Sequence, residues 1–235
     1  MTEHAVEALT GRRAPKLNPS EKDLAARRAA SWEEKRPQGG PPQLDNAHQR
    51  NPRWDVREWF DEVGMLTEAA AKRLLQAGPA INWAGGWDAG NPEHKKVLLE
   101  FQEKYRPRMI VFTPNTRFWT VGEDGAMILG DHEALNTMVE VIAAQVRNGD
   151  CFLVRAPENC GFWESSYFLQ LVEAGSGQLP SSSPLWRQHC DECRFGLRDP
   201  KNGKPMRNRT RFAGTYELER SSTLMLCVGH GSRDH

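Results

Sequence analysis

The sequence predicts an α/β fold of three layers, a mostly parallel sheet with helices on both sides, preceded by a polar arm. Three observations carry that expectation. The short apolar runs Met109–Phe112 and Cys151–Val154 lack polar alternation, as strands buried on both faces do. Amphipathic stretches over 92–105 and 132–147 are long enough to be the crossovers that parallel strands need. Strand-like and helix-like segments alternate from Trp54 onward, the order of a Rossmann-like sandwich.

At 235 residues the chain has room for one such domain and an arm. Lysine plus arginine number 31, as do aspartate plus glutamate, so net charge points to no partner and a nucleic-acid case must rest on a local patch. Five cysteines, an odd number, and no amino-terminal apolar signal favour a reduced intracellular setting, cytoplasm or nucleus, over a secreted disulfide framework. No stretch is apolar for long enough to span a membrane. Eight tryptophans are spread along the chain and read mainly as core and groove packing.

Residues 1–53 are polar and punctuated by proline and glycine. They read as a flexible arm, with disorder expected over Pro37–Gln49 and one short helix over 20–35 capped by Ser20. The folded domain, 54–235, opens at Asp55–Phe60 on a strand or an irregular segment. A helix over Thr67–Gln76 follows, with Thr67 as cap and Leu74 and Leu75 facing inward. Pro79–Trp83 reads as a second strand and Gly85–Asp88 as the loop after it. Then come a helix over Pro92–Tyr105, the central strand Met109–Phe112 and a loop over Gly122–Gly130. His132–Arg147 is a helix whose broad apolar face carries Leu135, Met138, Ile142 and Val146. The next strand ends at Pro157. Trp163–Ala174 reads as helix, 185–195 as holding a strand, Asp199–Arg211 as a basic loop, Phe212–Thr215 as the last strand and Tyr216–Leu226 as a last helix.

In open α/β sheets ligands bind beyond the carboxyl ends of the strands, so Thr113–Thr120 is expected to line a site. Asp88, after the second strand, is either an acid for ribose hydroxyls or a turn aspartate. Cys190 and Cys193 form a Cys-x-x-Cys pair, Cys227 and His230 a Cys-x-x-His pair. Together they could hold a tetrahedral zinc ion, or be ordinary small buried groups. Arg198, Lys201, Lys204, Arg207, Arg209 and Arg211 read either as a phosphate-binding, nucleic-acid-facing patch or as a solvated loop. Trp119 and Trp163 could stack a base or fill an unused pocket. His94 and His132, at helix starts, read as surface residues.

Gly86-Trp87-Asp88, the helix from Pro92, Arg106-Pro107, the strand Met109–Phe112 and Thr113-Pro114-Asn115-Thr116 follow one another in an order that resembles a known family. It is the methyltransferase-like domain of copia-type retroelement polyproteins, with its Gly-Trp-Asp-Phe, helix, Lys-Pro, strand and Ser-Pro-Pro-Cys-Thr. The likeness continues through Gly149–Leu153, Trp163-Glu164, Cys193–Leu197, Asn208–Thr215 and Cys227–His230. That domain is similar in turn to S-adenosylmethionine-dependent cytosine-5 DNA methyltransferases, so the resemblance implies that fold and that cofactor. It also implies what is lost. The cytosine-5 enzymes attack the base with a cysteine thiolate. Thr116 stands in its place, next to Asn115, and a threonine hydroxyl does not replace a thiolate. The family's second catalytic group, a glutamate, falls on Arg155 or on Glu158 according to the register chosen, and both registers stay open. At the cofactor end, Glu58-Trp59-Phe60-Asp61 replaces Glu-Leu-Phe-Ser and its following glycine or proline. Glu58, Phe60, Asp61, Asp88, Thr113 and Pro114 are therefore the candidate cofactor contacts. The expectation is a degenerate methyltransferase-like domain of retroelement origin, without cytosine-5 chemistry, retaining ligand or nucleic-acid binding. A live methyltransferase on another acceptor and a zinc-stabilised interaction module are the alternatives. Ending just past a family motif, the chain is expected to be a piece of something longer.

Overall fold

The computed structural model describes residues 34–44, 53–61, 64–114, 119–121, 127–129, 131–158, 160–170, 186–191, 203–204 and 209–215. Its strands are β1 (Val56–Trp59), β2 (Met109–Phe112), β3 (Trp119–Val121), β4 (Met127–Leu129), β5 (Cys151–Pro157), β6 (Trp186–Asp191) and β7 (Arg209–Gly214). Five of them form one sheet in the order β1-β2-β5-β7-β6, while β3 and β4 make a separate antiparallel pair. β1, β2 and β5 run parallel, with Ile110 opposite both Arg57 and Phe152. β7 lies antiparallel between β5 and β6, so the sheet is mixed.

Successive residues of a strand face opposite sides, and here both sides are apolar. Ile110, Phe112, Phe152, Val154 and Ala156 pack with Leu98, Leu135, Met138 and Ile142. Val56, Val111 and Leu153 pack on the other side with Ala70. Leu98 belongs to helix α2 (Pro92–Tyr105), Leu135, Met138 and Ile142 to α3 (His132–Arg147), and Ala70 to α1 (Met65–Lys72). Helices on both faces make the three layers. Each buried Leu, Ile or Phe contributes about 1.5–3 kcal/mol to holding them together.

α2 and α3 begin and end where the sequence predicts. The Asn91 side chain accepts from Glu93 N–H ahead of Pro92 at the first helical position, and Asp131 Oδ1 accepts from Ala134 N–H. Gln145, buried on α3, ties the helix to the sheet. Its Nε2 donates to the Pro107 and Cys151 carbonyls at 2.5 and 3.0 Å, and its Oε1 accepts from Gln102 Nε2 at 2.5 Å.

Several local expectations fail. α1 starts at Met65 and stops at Lys72; Gly64 at φ 69° is its N-cap, and Thr67 lies inside it. Leu74, itself at φ 60°, is 94% exposed and Leu75 is exposed too, because the chain leaves the helix to bring Ala77 beside Val56. Pro79–Trp83 is no strand; it meets β1 through a single bridge, Trp59 to Ile81. Met127–Leu129 is a strand inside the expected loop. A 3-10 turn at Gly161–Glu164 precedes a helical stretch over 166–170 in place of an unbroken helix from Trp163. Among the described residues no helix is long and apolar enough to cross a membrane.

Arg57 is unusual. It is fully buried, its guanidinium makes no hydrogen bond among the described residues, and the rings of Trp54, Trp59 and Phe101 surround it at 5.1, 5.4 and 5.7 Å. Burial pushes the guanidinium down to about 9.

Candidate functional site: a crevice closed from within

From β1 the chain passes outward to the bridge at Ile81, then returns through α2 to β2 on the other side of β1. This reversal places the ligand crevice of an α/β sheet at the carboxyl ends of β1 and β2. Phe60, Asp61, Thr113 and Pro114 stand there.

Their side chains have other tasks. Glu58 is buried, and its carboxylate accepts from Leu66 N–H, Thr67 N–H and Thr67 Oγ1–H at 3.0 to 3.2 Å. A carboxylate at the orphan N–H groups of a helix start is a stabilising arrangement. Glu58 thus serves the start of α1. Phe60 takes a left-handed φ of 70°, and its buried ring packs on Trp59 and Phe112. Asp61 Oδ1 accepts from Gly64 N–H at 2.9 Å, and its carbonyl accepts from Asn82 Nδ2 at 2.7 Å. Pro114 is buried and Thr113, half-buried, extends the pairing by donating its N–H to Trp59 O.

Asp88 is also engaged. Its Oδ1 accepts from Gly90 N–H at 3.0 Å, and Arg36 Nε lies 3.2 Å from Oδ2 as an ion pair without hydrogen-bond alignment. Arg36 also donates to Asp131 Oδ2 at 3.1 Å and stands over the Trp83 ring at 5.6 Å. Gly90 allows this acid pair to close up, since a Cβ there would lie 2.7 Å from Asp131 Oδ1. His94 is fully buried and not at the surface as expected. Its Nδ1 accepts from Asp88 N–H at 3.0 Å, which leaves Nε2–H to donate to Gly39 O at 2.8 Å. Residues 34–44 thus lie against the domain, and the expectation of disorder does not hold for 37–44. A cavity of about 570 Å³ lies under Pro42, Gln43 and Leu44, walled by Gly64, Thr67, Asn82, Gly85 and Trp87.

Farther along the same sheet edge lies a second group. Glu158 Oε1 meets His189 Nδ1 at 2.9 Å; Arg209 Nε is 3.0 Å from Asp191 Oδ1 and 3.7 Å from Glu158 Oε2. Asp191 beside it raises the Arg209 guanidinium. Strand alternation sets Glu158 on the face of Ala156 and Arg155 on the opposite face, with Leu153. The two registers therefore put the acid on different sides of the sheet. His189 was missed in the sequence because it lies in a strand far from any motif; only its neighbours in space single it out.

Arg209 and Arg211 are strand residues and not part of a basic loop. Arg211 lies over Trp163 and Phe168 at 4.8 and 5.7 Å. Trp163 is buried, with Nε1 donating to Pro157 O, and offers no open face for a base. His132 Nδ1 contacts the Tyr167 hydroxyl at 2.9 Å. Lys204 is exposed, while Arg198, Lys201 and Arg207 lie outside the described residues. So do Asn115, Thr116, Cys193, Cys227 and His230. Cys190 is buried on β6, and no metal-type cluster of three side chains occurs among the described residues.

The residues at the crevice do not fit S-adenosylmethionine as arranged. The turn after β1 offers a buried phenyl ring and a bonded aspartate where close backbone approach is needed, and Asp88 faces a cation of its own chain.

No family model and no curated protein matches the chain. Among solved structures it is similar to Dnmt2 methyltransferase of S. pombe, at 13% identity over 71% of this chain and 51% of that one, with a TM-score of 0.39. It is also similar to a substituted DNMT2 of Spodoptera frugiperda, at 11% identity over 68% and 49% of the two chains, with a TM-score of 0.43. The chain spans about half the length of these proteins.

Proposed function

We propose that this is a degenerate methyltransferase-like domain, of retroelement origin, that performs no cytosine-5 methylation and has a binding role, with a small ligand or a nucleic acid as partner. The observation that supports it best is the internal engagement of every described acid at the crevice. Glu58 holds a helix start, Asp61 holds its own turn, and Asp88 is paired with Arg36. Thr116, in the position of the family's cysteine, points the same way. The test is methyl transfer from labelled S-adenosylmethionine to DNA by the purified chain. No incorporation at cytosine is expected, and incorporation that survives a control for contaminating enzyme sinks the proposal.

A second reading, a methyltransferase acting on an N–H or O–H acceptor, is favoured by the Glu158–His189 pair. A histidine oriented by a carboxylate is the usual form of a general base. It predicts that His189→Ala and Glu158→Gln both abolish any transfer to RNA or protein; transfer unaffected by either would remove the pair from the chemistry.

A further inference from the structure

We propose that Arg57 and Trp59 form an enclosed receptor for a compact, weakly hydrated monovalent anion of the halide class, reached past Phe101 from a cleft along α2. The site lies in the layer between β1 and α2 and is independent of the crevice reading above.

Alternation along β1 sends the side chains of Arg57 and Trp59 to the same face, the one that α2 covers. Both residues are fully buried. The guanidinium nitrogens of Arg57 and the indole Nε1 of Trp59 all lack a hydrogen-bond partner among the described residues. The guanidinium carbon stands 5.4 Å from the Trp59 ring, so these donors are neighbours, and Trp54 and Phe101 close the cage at 5.1 and 5.7 Å. Burial lowers the guanidinium to about 9, which leaves it charged at neutral pH.

Donors without acceptors beside an uncancelled charge set the chemistry of the guest. A water molecule satisfies a pair of such donors and leaves the charge, whereas an anion accepts from several N–H groups and cancels it. The aromatic walls set the kind of anion. They offer nothing to replace the tight hydration shell of sulfate, phosphate or fluoride, so a larger halide loses least on entry. The approach is a cleft of about 360 Å³ lined by Val97, Phe101, Lys104 and Tyr105 of α2 and by Pro41–Leu44, which stay in place as its far wall. Phe101, half-buried, belongs to both cleft and cage, and its ring divides them. Lys104, with Nζ 5.0 Å from the Tyr105 ring, puts a positive charge at the mouth.

The experiment unfolds the full chain in urea, with sodium fluoride as reference salt and chloride or bromide replacing it at constant ionic strength. Without a specific site this replacement leaves stability unchanged or lowers it, because fluoride is the more strongly excluded ion. Wild type is expected to gain stability instead, and to saturate. Its folding constant should rise about elevenfold when the anion stands at about ten times its dissociation constant. Arg57→Met is expected to show no such gain, so the stability it holds over wild type in fluoride narrows as bromide is added. Trp59→Phe, which keeps a ring and loses the indole N–H, should need more anion for the same gain; it carries the comparison should Arg57→Met not fold. Chloride NMR line broadening by wild type, absent in Arg57→Met, reads binding directly. No gain in wild type, a gain that rises without saturation, or an equal gain in Arg57→Met would each overturn the proposal.

Discussion

Arg57 and Glu58 are adjacent on β1, both buried, and treated in opposite ways by their surroundings. Glu58 finds three donors at the start of α1, whereas Arg57 finds three aromatic rings and, among the described residues, no acceptor. Cation–π attraction offsets part of the desolvation of Arg57, and the rest is a standing cost to the fold. Arg57→Met is therefore expected to stabilise the domain by about 1–4 kcal/mol, read as a raised midpoint in denaturant at unchanged slope. Above about 9, and up to the ordinary guanidinium value, the unfolded chain holds the Arg57 proton that the folded chain has released. Stability from this group thus rises with pH across that window, while below 9 the full penalty applies; Arg57→Met should flatten the rise. Glu58→Ala is expected to cost about 1–3 kcal/mol by leaving donors of α1 unpaired. If Glu58 served a ligand alone, thermal stability without ligand would not change. Neither role could be read from the sequence, where Glu58 looks like a cofactor acid and Arg57 belongs to no motif. Alternation along β1 decides which face each side chain meets, but not whether donors or rings wait there.

At the scale of elements, the legible parts are those where cap and periodicity agree. Asn91 with Pro92, and Asp131 before a broad apolar face, placed α2 and α3 to the residue. α1 was misplaced because its alanine run has no sharp apolar edge and its cap comes from Glu58 on another element. The reading of 79–83 as a strand failed for a related reason. The segment is short and apolar, but Asn82 is turned to bond Asp61 and Gly85, so the ladder stops after Ile81. Gln145 is the polar joint between α3, α2 and the sheet. Gln145→Leu should cost about 1–3 kcal/mol for each group left without a partner, measured by denaturant unfolding. A neutral outcome would mean that water replaces Gln145 at the Pro107 and Cys151 carbonyls.

For the molecule as a whole, the seam between β5 and β7 joins the parallel half of the sheet to its antiparallel edge. Gly214 sits on that seam opposite Leu153, and a Cβ there would stand 2.2 Å from the Phe152 carbonyl oxygen. Gly214→Ala is expected to destabilise by about 1–3 kcal/mol or more and to loosen β6 and β7 first in hydrogen exchange; wild-type protection would contradict the close approach. The three-layer fold was legible because burial on both faces writes itself into continuous apolar runs. The state of the crevice was not, since Asp88 has the same sequence neighbours whether Arg36 binds it or not. That closure is best tested by a thermal-unfolding scan of the wild-type chain with S-adenosylmethionine and S-adenosylhomocysteine at millimolar concentration. A ligand at about a hundred times its dissociation constant adds roughly 2.7 kcal/mol and shifts the midpoint by several degrees. With Asp88 held by Arg36 and Phe60 filling the turn, neither ligand should move it. A clear shift with either would show the crevice open and the cofactor site intact.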